Sequence, residues 1–584
     1  MAELVYAYGS GPYAARLGGS TPPLGTMTNN KIRIIPLGGV EEIGRNMTVV
    51  EYFPDGDIVV IDAGLQFPDE NTPGIDYILP NPAYLEKRKN KIRALVLSHG
   101  HLDHIGGVPY LMKQLGNPII YTTRLTKAMV LKRQEEFPNA PHLEIREIQS
   151  GKQIKLSRAL GLGFFEITHS IPDAIGTIVK TPLGNIIYPG DAKIEHDKSG
   201  KLIGIKQYVE LGEKKNLALL LESTNSEKAG FSISEETVSK NLEQIFKKAN
   251  GRIIVGTFAS QIERIVRMIE IAERLNKKVI IDGFSMKVNL EISKQLGLFR
   301  PKKDILISVK EIGNYPENKI FAVCTGSQGE EYAALMRIAG NKHAHIRLHE
   351  GDTVILSSSI IPGNEKNIQN LKDNLSRQGA KIIHYEVADI HASGHAYSEE
   401  LKLITQMLKP KFFIPVHGYY FMLKTNADLA LSVGIPKKNI AVPQNNGAII
   451  EIDKNGIKTL KEKAPASYVM VDGLGVGDVK EIVMRDRQML AQDGIFVIIA
   501  AVDSQKGEIK GSPDIISRGF VYLKESQDLL KSVRYIIKEI VKECGQMHPI
   551  NVSLIKDRIR ERIGNFLFKK TKRRPMVLPV VIEF

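Results

Sequence analysis

Residues 93–104 read RALVLSHGHLDH, an apolar run that stops at three histidines and an aspartate within six residues. A short apolar run bounded by glycine reads as a buried strand. Side chains alternate along extended backbone, so His99 and His101 face the same way if the trace stays extended. The turn through Asp103 and His104 then aims two further groups at a neighbouring point, and Gly106 and Gly107 allow a tight fold into the next helix. Imidazole nitrogens and carboxylate oxygens suit zinc, and four such groups on one loop exceed what a single ion draws from one segment. The loop therefore predicts two adjacent metals.

The same strand-then-polar-loop pattern recurs outward from this stretch, in IRIIPLGG, DIVVIDAG, NIIYPGD and FFIPVHG. It places His169 after FFEIT, Asp191 after NIIYPG and His417 after FFIPV as candidates to complete the metal shell. A helix is expected over residues 108–115, with positions 108, 111, 112 and 115 on one face. Strands at RIIVGT, KKVIID, KIFAVC, DTVILSSS and AKIIHYEV alternate with helices such as 261–275, the pattern of a helix-covered parallel sheet. Residues 453–466 turn Lys-rich and lose periodicity, which predicts a linker. Beyond them, IFVIIAAVD, PVVIEF and a helix over 525–543 with an apolar stripe predict a small α+β domain.

Composition sets the outer bounds. The chain has 584 residues, enough for three or four domains, with 43% hydrophobic and 25% charged residues. Two cysteines, Cys324 and Cys544, cannot staple such a length, and no apolar run is long enough to cross a bilayer. A cytoplasmic setting with no membrane partner is expected. Residues 1–30 are nearly uncharged and rich in Gly, Ser, Pro and Thr, reading as a flexible leader in which Met27 is an alternative start. The net charge of +14 suggests a polyanionic partner.

Taken together, the motifs resemble the metallo-β-lactamase fold and, within it, the β-CASP nucleases of the ribonuclease J family. The matches are Asp62 in VIDAG, His169 in THSIPDA, Asp191 in PGDAK, Glu222 in LESTN, TFAS at 257–260, CTGSQGE from Cys324, SSSIIPGNE from Ser357, HASGHA at 391–396 and PVHG around His417. The resemblance implies an αββα sandwich (31–225 and 386–452) interrupted by an α/β β-CASP domain (226–385), with a C-terminal α+β domain at 467–584. It implies that His99, His101 and His169 hold one zinc, that Asp103, His104 and His417 hold another, and that Asp191 bridges them. Mn2+ or Mg2+ are alternative occupants.

Asp62 would orient the histidine loop, His395 would donate a proton to the leaving group, and Glu222 would orient His395. His391, Ser393, Gly394 and His395, with Ser260, look like a pocket for RNA phosphate. The implied activity is 5′-to-3′ exonuclease, and endonuclease, action on single-stranded RNA in rRNA processing and mRNA decay. A homodimer or homotetramer and an RNA-degradation complex are implied partners. A lactonase-like small-molecule hydrolase and a non-catalytic RNA-binding paralogue are the alternatives.

The sequence departs from the family pattern at PGDAK, at Gln261 and Glu263 after TFAS, and at Phe284 in GFSM. The last two departures remove basic or amide donors near the expected pocket. Basic runs at 87–93 and 569–574 could meet RNA phosphates, residues 551–584 carrying nine basic and three acidic side chains. GLGVG at 473–477 reads as a turn opening the last domain, and no aromatic stacking motif stands out.

Overall fold

Strand Asn216–Glu222, NLALLLE, is buried along its whole length, as a strand covered on both faces must be. It lies in a six-stranded sheet ordered Phe412–Val416, Asn216–Glu222, Gly184–Tyr188, Ile175–Thr181, Gly161–Glu166, Gln153–Lys155. An eight-stranded sheet faces it, ordered Gly456–Lys463, Ala448–Asp453, Lys31–Gly38, Met47–Phe53, Asp57–Ile61, Ile92–Val96, Ile120–Thr122, Ile145–Glu147. This is a computed structural model, and it describes residues 30–584 apart from 70, 198, 331, 362, 474, 480, 504–505 and 547–550. The expected leader and Met27 lie outside the described residues.

Ile34, Val50 and Val59 of the larger sheet meet Phe164, Val179 and Ile186 of the smaller in one buried layer. The outer face of the larger sheet packs on short helices carrying Leu85, Ile105, Val108 and Leu111. That of the smaller packs on helices Lys206–Gly212, Ser398–Leu408 and Tyr420–Ser432. The layering is αββα. Phe412–Val416 pairs in parallel with Asn216–Glu222, Val416 opposite Glu222, so the chain returning from the insert lies beside the chain that entered it.

The insert is a five-stranded, wholly parallel sheet ordered Lys278–Asp282, Ile320–Cys324, Ile253–Gly256, Thr353–Leu356, Lys381–His384. Apolar clusters lie on both its faces, as helix-covered parallel sheets require. In the C-terminal part, strand Ile495–Asp503 pairs with Glu508–Ile509, Asp514–Arg518 and Met576–Glu583. Helices Gln527–Gly545 and Val552–Thr571 cover one face of that sheet.

Three expectations need correction. The Lys-rich segment read as a linker contains strand Gly456–Lys463 at the edge of the large sheet. An edge strand pairs on one side only, so lysines can face solvent without an apolar period. The helix expected over 108–115 is regular only across Val108–Leu111 and continues as turns, although Val108, Leu111, Met112 and Leu115 are all buried. Gly475–Val476 pairs with Val469–Asp472 in a small hairpin, and that hairpin joins Tyr77–Leu79 of the first domain instead of opening the last one. Among the described residues no helix is long and apolar enough to cross a membrane.

Candidate metal centre

Parallel strands that end at one edge deliver their following residues to one place. Ile92–Val96 is followed by the histidine loop, Asp57–Ile61 by Asp62, Gly161–Glu166 by His169, Gly184–Tyr188 by Asp191 and Phe412–Val416 by His417. Asp62 and His417 adopt left-handed backbone, φ 62° and 52°, an uncommon state for residues with a side chain that a packed functional site can hold in place. Gly107 is required by close approach, since a Cβ there would lie 2.6 Å from the Gly64 carbonyl oxygen.

His99, His101, His169 and Asp191 form one group of donors, and Asp103, His104, Asp191 and His417 form a second. In each group the donor atoms lie within 4.8 Å of one another, and Asp191 belongs to both. Strand regularity ends at Val96, yet the backbone stays extended enough that the His99 and His101 rings converge, with Nε2 and Nδ1 3.0 Å apart.

Hydrogen bonds fix which ring atoms face inward. Ser98 Oγ donates to Asp62 Oδ2 at 3.0 Å and so accepts from His99 Nδ1, also at 3.0 Å. His169 Nδ1 donates to the Gly394 carbonyl at 2.7 Å. Both rings therefore turn a bare Nε2 inward, 3.0 and 3.1 Å from His101 Nδ1. One N–H at most can serve these three nitrogens, and His101 Nε2 is buried with no partner at all. Crowded lone pairs on converging nitrogens are what a bound divalent cation would relieve, so the donor set fits a metal. Burial and mutual repulsion also keep these imidazoles neutral, as ligands must be: His99 and His169 are held well below the ordinary histidine range, and His101 is lowered to about 4.

The second group is more strongly charged. Burial opposes ionisation there, but Asp191, Asp103 and Asp62 together push the His104 imidazole well above its usual range. His104 and His417 in turn hold Asp191 far down against the same burial. Asp62 collects four donors: Ser98 N at 2.8 Å, Ser98 Oγ at 3.0 Å, Tyr188 OH at 3.1 Å and His104 Nδ1 at 2.8 Å. It thereby aims His104 Nε2 at Asp191 Oδ2, 3.1 Å away.

Beside the metal groups, His395 Nδ1 lies 2.6 Å from Glu222 Oε2 and 3.8 Å from Asp191 Oδ2. Burial disfavours its charged form, but Glu222 and Asp191 outweigh that and push it up to about 9. Glu222 also accepts the Ala192 N–H at 2.9 Å, locking it next to Asp191.

Of the expected phosphate residues, His391, Ser393, Gly394 and His395 lie on one segment that touches the centre. Gly394 is tied to His169, and a Cβ at this glycine would meet the His169 ring at 2.6 Å. Ser393 Oγ accepts from Asn225 Nδ2 at 2.8 Å and from His395 N at 3.1 Å. Ser260 is joined to the segment only indirectly: its neighbour Gln261 accepts from Arg264, and Arg264 donates to His391 Nδ1 at 2.7 Å.

Two participants had no motif to mark them. Asn46 is buried with its amide nitrogen 3.1 Å from His104 Nε2, 3.3 Å from His417 Nε2 and 3.5 Å from Asp103 Oδ2. Arg264 is buried against Glu235, Gln261, His391 and the carbonyls of Ser357 and Ala392. The basic runs are partly spent on local contacts: Arg93 pairs with Asp57 and Arg88 with Glu51, while Arg574 lies over the Phe568 ring.

An αββα sandwich with this histidine and aspartate cluster, interrupted by a parallel α/β insert, defines a metallo-β-lactamase-fold metal-binding hydrolase of the β-CASP type. Family models agree along the chain: the metallo-β-lactamase superfamily over residues 40–199, the ribonuclease J β-CASP domain over 250–375, a Zn-dependent metallo-hydrolase RNA specificity domain over 382–443 and the ribonuclease J C-terminal domain over 482–584. The chain is 37% identical to ribonuclease J2 of Bacillus subtilis strain 168, over 94% of this chain and 98% of that protein. It is 38% identical to ribonuclease J 2 of Staphylococcus aureus strain NCTC 8325, over 95% of this chain and 99% of that protein. The chain belongs to the ribonuclease J family. A crystal structure of a protein of unknown function from Enterococcus faecalis V583 is similar in fold, with TM-score 0.50 and 17% identity over 74% of this chain and all of that one.

Proposed function

We propose that this chain hydrolyses RNA phosphodiesters as a metal-dependent ribonuclease, acting 5′-to-3′ from an RNA end and also within single strands. The observation that carries this reading is the His395–Glu222 pair set against Asp191, a proton donor beside two metal-ligand groups. His99, His101, His169 and Asp191 would hold one zinc ion, and Asp103, His104, Asp191 and His417 a second, with Mn2+ or Mg2+ as alternatives. Ions held by these residues would lower the pKa of water and offset charge on the phosphate.

The chain's own groups supply the rest. Asp62 keeps His104 in the tautomer that presents Nε2. Glu222 keeps His395 protonated, so that it can protonate the departing ribose oxygen. Arg264 donates to His391 Nδ1, which leaves the neutral ring's proton on Nε2, and Ser393 with the backbone around Gly394 would offer further donors to a phosphate oxygen. Burial and the Arg264 charge hold His391 well below the usual histidine range, so it acts as a neutral donor. We place the enzyme in the cytoplasm, as a homodimer or homotetramer in RNA maturation and decay.

The test is end-labelled single-stranded RNA bearing 5′-monophosphate, triphosphate or hydroxyl, with and without chelator, beside a DNA control. Chelator-sensitive release of mononucleotides from the monophosphate substrate is expected. Degradation indifferent to chelator, or none, would overturn the reading.

A further inference from the structure

Directly after His417 the chain reads Gly418-Tyr419-Tyr420-Phe421, three consecutive aromatic residues at the start of helix Tyr420–Ser432. Core packing does not explain them. The helix buries a different face, through Leu423, Asn426, Ala427 and Ala430. Tyr419, Tyr420 and Phe421 are 41%, 41% and 49% exposed, and the Tyr419 and Phe421 rings are parallel to within 5° with centroids 6.1 Å apart.

Their backbone adjoins the metal groups. Tyr419 is two residues from His417, so their Cα atoms are at most about 7.6 Å apart. Gly418 donates its N–H to the Gly39 carbonyl at 3.3 Å and bridges to Val40 and Glu42, which anchors the start of the helix to the loop leading to Asn46. Lys424, exposed one turn beyond Tyr420, adds a cation on the same face of the helix. Flat apolar faces, a neighbouring cation and a phosphate-handling centre within a nucleotide or two are the elements of a single-strand groove.

We propose that Tyr419, Tyr420 and Phe421 form a stacking platform for the bases of single-stranded RNA that flank the scissile phosphate. The proposal rests on the ribonuclease reading above. Stacking on such rings tolerates any base, since every base has a π face, and it demands an unpaired strand. The platform would therefore select single-stranded over duplex substrate without reading sequence.

The experiment is equilibrium binding of fluorescein-labelled single-stranded RNA to the full chain in a His395→Ala background that slows cleavage, comparing Tyr419→Ala/Phe421→Ala with Tyr419→Phe. The double variant should bind about tenfold more weakly and Tyr419→Phe nearly as well as the parent. Tyr419→Phe should melt as the parent does, and because the rings are half-buried the double variant is compared well below its own Tm. An RNA carrying a run of abasic sites should bind the parent weakly and show little further loss with the double variant.

Equal binding by parent and double variant, or the same factor lost on intact and abasic RNA, would overturn the platform. A shift in oligomeric state on removing the rings, with RNA affinity intact, would overturn it too, by assigning them to a second copy of the chain. RNA cleavage by the parent in the end-label assay separates failure of the platform from failure of the ribonuclease reading.

Discussion

Asp62 Oδ2 lies 2.8 Å from His104 Nδ1, and that contact decides which nitrogen of His104 faces Asp191. The carboxylate sits at φ 62° and is wholly buried, so its four donors have no water to fall back on. Asp62→Asn keeps the shape and the tolerance of left-handed backbone, but turns an NH2 group toward donors. Metal affinity and RNA cleavage should each fall by about 10- to 100-fold. Stability should fall by about 1–3 kcal/mol. Metal titration and thermal melts of the same preparation check both.

The His395–Glu222 pair predicts a pH profile. With its pKa raised to about 9, His395 is an imidazolium at neutral pH, and it loses the donor proton as pH rises through that value. Cleavage should therefore fall on the alkaline side. Glu222→Gln removes the leading stabiliser of the charge, so the alkaline limb should move toward lower pH. His395→Ala should lower kcat by about 10²–10⁴ while leaving metal content unchanged. A limb that stays in place in Glu222→Gln would assign it to another group.

These placements show what was legible beforehand. Strands buried on both faces are continuous apolar runs, and ligands at their ends stand out against the run, so the seven metal-ligand candidates could be read from local sequence. Asn46 could not: its partner His417 is 371 residues away, and asparagine carries no hydrophobic period. Arg264 is similar, 127 residues from His391, on a helix whose other buried residues explain themselves as core. Strand Gly456–Lys463 was hidden because an edge strand needs only one paired side. Helix Val552–Thr571 was hidden because it buries only a narrow row, Ile555, Ile559, Ile563 and Leu567, among many charges.

Metal removal should be visible in stability as well as activity. His99 and His169 aim bare nitrogens at His101, and Asp191 joins them to the group of Asp103, His104 and His417. A cation that binds the folded chain alone adds about 4 kcal/mol at a thousandfold excess over its Kd. Chelation should lower Tm, and divalent metal should restore both Tm and cleavage. His101→Ala should blunt the response of Tm to metal. A melting curve indifferent to chelator would argue against an occupied centre.

Arg264, on the insert helix Ile262–Arg274, bonds into the segment around His391 proposed to bind phosphate. Its guanidinium bonds Glu235, Gln261, two carbonyls and His391 Nδ1 at once, which the point charge of lysine cannot imitate. Arg264→Met leaves Glu235 buried without its partner and should cost about 3–5 kcal/mol. Burial raises the Glu235 pKa, but Arg264 and its neighbours more than reverse this and hold it below the ordinary 4.5. Glu235 thus contributes stability that is present above pH 4.5 and is lost as pH falls through its depressed value. In Arg264→Met that contribution is gone and the carboxyl protonates more readily. The gap between variant and parent should then be widest at neutral pH and narrow in acid. Arg264→Met/Glu235→Met should recover part of the loss in stability without restoring the donor to His391, so RNA affinity should stay low. Denaturant melts at pH 7 and pH 4.5, with RNA binding on the same proteins, separate the structural share of Arg264 from its share in orienting His391.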